Sequence, residues 1–124
     1  MSDHEWMVRS TLDDIQHSIE LVISRFDKIE CVDDFLANDK GLLLLDSISM
    51  RLVAIGEGFK NIDKLTDKKL LPHYPNIDWK GVKGIRDILS HHYFDLDAET
   101  IFDVCENHLD DLLTVTKDMI LSLK

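Results

Sequence analysis

Apolar residues recur along the first part of the chain at alternating steps of three and four, the spacing that places side chains on one face of an α-helix. The first stripe consists of Leu12, Ile15, Ile19, Val22, Phe26 and Ile29. It predicts a long amphipathic helix that begins near Asp3 and fades by Cys31, where acidic residues and then Gly41 interrupt the pattern.

A second stripe in the same alternation predicts another long helix, and its members are Leu45, Ile48, Leu52, Ile55, Phe59, Ile62 and Leu65. Gly56 and Gly58 lie inside this stripe. Each should cost the helix about 1 kcal/mol relative to alanine unless something rewards the missing side chain. We therefore expect another helix to approach closely at these glycines.

Two prolines at Pro72 and Pro75 mark a connector over residues 71–76. Asp78 can cap a third helix that starts at Trp79. That helix is expected to turn these apolar residues inward: Val82, Ile85, Ile88 and Leu89.

Asp97 can cap a fourth helix, whose apolar positions are Ile101, Cys105, Leu109, Leu112, Met119 and Leu123. No stretch alternates with the period of a β-strand. Four helices with short connections predict an all-α, up-and-down four-helix bundle, with room for one additional short helix. At 124 residues the chain is expected to form one helical domain over residues 1–124.

Cysteine usage and hydropathy argue against a disulfide-bonded, metal-binding or membrane-spanning protein. Cys31 and Cys105 have no nearby cysteine or histidine cluster, so we expect two buried, reduced thiols and no metal or other cofactor. The longest apolar run, Leu42 to Leu45, is far too short to span a bilayer. The sequence thus predicts a cytoplasmic protein without a membrane partner.

The formal net charge of -10 argues against broad, sequence-independent nucleic-acid binding. The charge is unevenly spread, however. Residues 60–92 hold seven Lys or Arg against four Asp, a net +3, and the remaining residues hold seven against twenty, a net -13. This locally basic strip can engage one phosphate group, while the acidic remainder either meets a basic partner or keeps the protein soluble.

Arg86, His91 and Tyr93 fall within or next to this strip and supply groups suited to phosphate chemistry. Arg86 and His91 are five apart, roughly 140° around an ideal helix, so the helix must end near His91 or the site must be shared. The plainer interpretation is an arginine paired with Asp87 or Asp95 beside histidines at a helix end.

The wider pattern resembles the HEPN-domain proteins of the HepT type. It comprises Arg86, four residues, His91, one residue and Tyr93, preceded by residues 75–79 and 84–85 and followed by Phe94. Residues 55–57 in the second helix share the resemblance, which covers nearly the whole chain and is strongest from residue 52 to residue 113.

The resemblance implies a toxin ribonuclease of a type II or type VII-like toxin–antitoxin pair. It implies a homodimer with facing Arg86 and His91 motifs, metal-independent RNA cleavage, and a nucleotidyltransferase antitoxin that attaches AMP to Tyr93. Asp87 matches the polar position after the arginine. Glu57 either positions Arg86 or faces solvent. Because His92 fills the variable position of the motif, the sequence leaves open whether the catalytic imidazole belongs to His91 or to His92.

Two other interpretations compete with the enzyme. A non-catalytic, substrate-binding partner subunit of a minimal nucleotidyltransferase suits the acidic surface. A purely structural dimerisation module explains the apolar stripes but leaves the cluster of Arg86, His91 and Tyr93 without a role.

Overall fold

The computed structural model describes residues 2–90 and 97–123. Within these ranges the chain is all-α, with seven helices, one short 3-10 turn and no strand. The α-helices are α1 (Asp3–Phe26), α2 (Val32–Leu36), α3 (Asp39–Leu65), α4 (Trp79–Lys83), α5 (Ile85–Ser90), α6 (Ala98–Asn107) and α7 (Leu109–Ser122), and the 3-10 turn is Leu71–His73. The predicted all-α class is confirmed, and α2 is an additional short helix.

Helices α1 and α3 are the longest and pack antiparallel. Arg25, near the end of α1, donates from Nη1 to Ser47 Oγ near the start of α3 at 2.7 Å. Asn61, near the end of α3, donates from Nδ2 to Thr11 Oγ1 near the start of α1 at 3.4 Å. The remaining helices complete a bundle around this pair.

Most of the buried core comes from the apolar stripes read from the sequence. The fully or almost fully buried side chains include Leu12, Ile19, Val22, Ile48, Ile55, Phe59, Ile62, Ile101, Leu109 and Met119. Phe35 on α2 is also completely buried and packs against the ring of Phe26 at 6.4 Å between centroids. Burial of these side chains in one cluster supplies the driving force for the bundle.

Gly56 and Gly58 of α3 mark close approaches, as expected. A Cβ at Gly56 would lie 2.6 Å from the carbonyl oxygen of Val82 on α4. A Cβ at Gly58 would lie 2.7 Å from Ile15 Cγ1 on α1. Glycine at these positions lets α3 contact a neighbour on each side.

Several expectations on the short elements are wrong. The third helix is divided into α4 and α5 at Gly84, which is the C-cap of α4. The fourth helix is divided into α6 and α7 at His108. Ile88, expected to point inward, is 42% exposed.

The cysteine expectation is half correct. Both thiols are free, and Cys105 is buried, but Cys31 is exposed just before α2. Burial of Cys105 raises the pKa of its thiol to about 12. Cys31 is the N-cap of the short helix α2 and lies at the surface.

Candidate functional site

The candidate site lies where the short helices α4 and α5 cross the second half of α3. Trp79, the first residue of α4, packs its ring 4.9 Å from the ring of Phe59, and its Nε1 donates to the carbonyl of Tyr74 at 3.0 Å. Asp78 caps α4, as predicted, by accepting from the N–H of Gly81 at 3.0 Å. These contacts fix the start of the segment that carries the site.

An ion pair between Lys83 and Asp63 fixes the end of α4. Asp63 on α3 is a buried carboxylate, 8% exposed, and Lys83 Nζ donates to its Oδ2. A buried carboxylate without such a partner would be costly, so this pair ties α4 to α3 at one position. Lys83 lies within the basic strip, but its charge is neutralised by Asp63 and is therefore not available to a phosphate group.

Arg86, on α5, is the next cation along this crossing. Its Nη1 donates to Glu57 Oε1 of α3 at 2.9 Å, and Lys60 Nζ lies 3.4 Å from the other oxygen, Oε2. The Arg86 side chain is 66% exposed, whereas that of Glu57 is 37% exposed. The hydrogen bond from Arg86 is the main reason that the pKa of Glu57 lies below its ordinary value, and Lys60 adds to the effect.

Glu57, for which positioning of Arg86 and exposure to solvent were both left open, contacts Arg86 and is also partly exposed. Because Glu57 engages Nη1, the arginine is held at the surface with much of its guanidinium toward solvent. A planar, charged fork held in this way can receive a phosphate oxygen. The contact supports a positioning role for Glu57.

The other predicted site residues are unevenly described. Asp87 follows Arg86 on α5 and is exposed. His91, His92 and Tyr93 lie outside the described residues, as do Phe94 and Asp95. α5 is described up to Ser90, the residue before His91 in the sequence.

A cavity of about 260 Å³ opens on the other side of α4 and α5, toward α6 and α7. Its floor is apolar and includes Leu52, Ile55 and Ile85. Its other lining residues include the carboxylates Asp78, Asp103 and Asp111. Three carboxylates against one histidine in the lining disfavour a phosphate group, so the cavity is poorly suited to the backbone of a nucleic acid.

Two ion pairs at the candidate site were not predicted from the sequence. Lys60 follows Glu57 by three residues on one helix, a spacing at which opposite charges meet, so that contact was readable. The pair of Lys83 and Asp63 spans twenty residues and depends on how α4 crosses α3.

Among residues 2–90 and 97–123 no group of acidic, histidine and cysteine side chains could hold a metal ion.

None of the described helices combines the length and the apolar character needed to cross a bilayer.

Comparison with known proteins adds a family to this geometry. A sequence model described as "Ribonuclease HepT-like" matches residues 15–119. A protein of Methanocaldococcus jannaschii that carries an RNase name is 33% identical over 100 residues, which cover 81% of this chain and 76% of the relative. A protein of Thermococcus cleftensis named as a ribonuclease HepT is 34% identical over 101 residues, 82% of this chain and 84% of the relative. No solved structure matches the chain at a significant level.

Proposed function

The chain belongs to the HepT-like ribonuclease family, and on this premise we propose that it is an endoribonuclease that cleaves RNA without a metal at Arg86 and His91. The observation that carries the assignment of the site is the hydrogen bond between Arg86 and Glu57 at 2.9 Å. It presents a charged guanidinium to solvent on α5, five residues before His91 in the sequence. Asp87, next to Arg86, is proposed to orient either that arginine or the histidine.

The reaction needs three groups. A base removes the proton of a 2′-hydroxyl, whose oxygen attacks the adjacent phosphorus, and an acid gives a proton to the 5′-oxygen as its bond to phosphorus breaks. Positive charge stabilises the pentavalent transition state. One His91 is the proposed base, the His91 of a second copy is the proposed acid, and the two Arg86 side chains supply the charge.

The requirement for two copies has support in the exposed face of α3. Leu43, Met50 and Glu57 follow one another at steps of seven residues, so they lie on nearly the same side of the helix. Leu43 is 61% exposed and Met50 is 69% exposed. An apolar surface that leads directly to Glu57 favours a homodimer in which a second copy reaches the Arg86 site.

Variants of the motif test the cleavage. Arg86→Ala and His91→Ala should each lower kcat by about a hundredfold or more, because each removes a group that acts on the reacting phosphate. His92→Ala should have a smaller effect, and His17→Ala, which changes an exposed histidine on α1, should have none. Cleavage of a labelled RNA should continue in EDTA.

The competing assignment makes a different forecast. If the wild-type dimer, free of any modification, does not cleave RNA but binds a nucleotidyltransferase, the chain is a non-catalytic partner subunit. Activity that survives His91→Ala, or that EDTA abolishes, would contradict the proposed mechanism. A larger loss for His92→Ala would move the catalytic role by one position.

The proposed biological context is a toxin neutralised in the cytoplasm by a nucleotidyltransferase antitoxin that transfers AMP to Tyr93. The added phosphate would compete for Arg86 and the nucleoside would obstruct RNA. Co-expression with the cognate nucleotidyltransferase should add the mass of AMP to the wild type but not to Tyr93→Phe. An unchanged wild-type mass in the presence of ATP and magnesium would contradict this control.

A further inference from the structure

Three cations follow one line across the surface of α3 and α5. Arg86 rests on Glu57; Lys60 lies three residues after Glu57 and touches the same carboxylate; Lys64 follows four residues later. Steps of three and four keep Glu57, Lys60 and Lys64 on one side of α3. Lys60 and Lys64 are both exposed. Arg86, Lys60 and Lys64 are called the cationic row below.

We propose that the cationic row binds consecutive phosphates of the single-stranded RNA that leads into the Arg86 site. This inference rests on the proposed ribonuclease function and extends it by giving the substrate a path. From Glu57 to Lys60 and from Lys60 to Lys64 the helix rises about 4.5 and 6 Å. Flexible lysine ammonium groups spaced in this way suit the charges repeated along a nucleic-acid strand, without regard to base sequence.

Two carboxylates near the cationic row, Asp63 and Glu57, are already paired with cations and therefore repel an approaching RNA strand less than unpaired carboxylates would. Asp63, the acidic residue beside Lys64 in sequence, is buried and bound to Lys83, so its charge is compensated inside the fold. Glu57 is shared between two cations. Within the described parts of the chain Lys64 makes no ion pair, which leaves its ammonium available to a phosphate.

The charge of the remaining chain disfavours approach of RNA outside residues 60–92. Residues outside 60–92 carry a net -13, so most other approaches repel RNA. The cavity on the far side of α4 has three carboxylates in its lining and cannot substitute for the row. A strand held at Lys64 and Lys60 would reach Arg86 next, at the point where the chain continues to His91.

Lys64 is the cleaner of the two lysines to test. Removing Lys60 also alters the surroundings of Glu57 and thereby Arg86, whereas Lys64 has no such contact. Lys64→Ala should raise KM for single-stranded RNA several-fold and leave kcat unchanged. Lys64→Glu should raise KM further, and Lys64→Arg should restore it.

Binding should be measured apart from cleavage, by fluorescence anisotropy of a short labelled single-stranded RNA with the His91→Ala protein. Adding Lys64→Ala should weaken binding and reduce the slope of log Kd against log salt by about 0.7, the value for one lost phosphate contact on a single strand. The matched control is Lys117→Ala, which removes an exposed lysine from α7. It should change neither quantity.

The outcomes separate the path from the proposed function. If Lys64→Ala behaves like Lys117→Ala in Kd, salt slope and KM, the path is wrong even when the wild type cleaves RNA. If the wild type fails to cleave but Lys64→Ala still weakens binding with the expected salt slope, the proposed activity fails and the path stands. If Lys64→Ala weakens binding to an acidic protein partner but leaves RNA binding unchanged, the path is wrong.

Discussion

The paired helices α1 and α3 and the short segment α4–α5 are built in different ways. The two long helices have 24 and 27 residues, and buried side chains repeat along both of them. α4 and α5 have five and six residues, and α4 buries none completely. α5 buries Ile85 and Leu89, and beside these two side chains single contacts hold the segment, notably Trp79 on Phe59 and Lys83 on Asp63. Stability is thus spread over the long pair, whereas the position of Arg86 depends on a few contacts.

This difference implies that stability and activity can be changed separately. Loss of one side chain from the long pair removes a fraction of a large buried surface and should leave the crossing of α4 over α3 in place. A small change at that crossing displaces the residues that carry the proposed chemistry. Functional segments with few buried contacts are generally the ones that open most easily.

The largest expected effect on stability is in the long pair. Leu12 is fully buried on α1, so Leu12→Ala should lower the free energy of unfolding by about 2–5 kcal/mol, from lost burial and the cavity left behind. Urea unfolding followed by circular dichroism measures this change. The kcat per folded molecule should equal that of the wild type.

A loss below about 1 kcal/mol would show that α1 repacks around the gap. A fall in kcat at full folding would contradict the separation of scaffold and site. An exposed position on the same helix, Glu20→Ala, is the control for any general effect of changing α1.

The long pair was readable from the sequence because its signal is repeated many times. Each apolar position in the stripe from Leu12 to Val22 gives the same information, and the four stripe residues in that range are buried. One misleading residue cannot overturn such a pattern. The predicted start of α1 near Asp3 is also confirmed, with Ser2 as its cap.

The short segment was less readable because its breaks depend on single residues. The helical pattern from Trp79 to Leu89 continues through Gly84, and a glycine alone does not decide between a weak point and a helix end. Contact with α3 decides it, since the carbonyl of Val82 and the side chain of Ile85 must both fit against Gly56. No local sequence pattern specifies that fit.

The candidate site, like the short segment, was only partly predictable from the sequence. The resemblance pointed to Arg86 and Glu57, and the structure brings these two together at 2.9 Å. The roles of His91 and Tyr93 stay predictions, because both residues lie outside the described parts of the chain. The contact of Lys83 with Asp63 required the crossing itself, which joins parts of the chain that sequence spacing does not relate.

A matched pair of glycine substitutions tests the crossing with an intermediate effect. Gly56→Ala places a methyl group 2.6 Å from the Val82 carbonyl oxygen, so α4 must move. Such overpacking typically costs about 1–3 kcal/mol. Because the displaced segment carries Arg86, kcat should fall as well, as measured by RNA cleavage beside thermal unfolding.

Gly58→Ala is the control on the same helix. Its methyl group meets Ile15 Cγ1 and Cδ1, atoms of a side chain on α1 that can adjust more readily than a backbone carbonyl. The gain in helix propensity, about 1 kcal/mol, offsets part of the crowding. Equal loss of activity in both variants would show that the α4 crossing has no special role in placing the site.

The smallest expected effect concerns the exposed contact of Glu57 with Arg86. Glu57→Gln should leave the melting temperature nearly unchanged, because exposed ion pairs contribute little to stability. It should lower kcat by less than His91→Ala does, since it removes a positioning contact and leaves the proposed acid and base. Lys40→Ala, an exposed change at the start of the same helix, is the control and should alter neither.

The titration of Glu57 tests the same contact directly. Arg86 favours the carboxylate, so the pKa of Glu57 should lie below its ordinary value of 4.5, as a carbon-detected NMR titration would report. The sign follows from the lowered pKa: the contact is fully present above the ordinary value and is lost as the pH falls through the lowered one. Arg86→Ala should move the pKa back toward 4.5. A Glu57 pKa that is the same with and without Arg86 would mean that the two side chains do not interact in solution, and the arginine would then lack the support proposed for it.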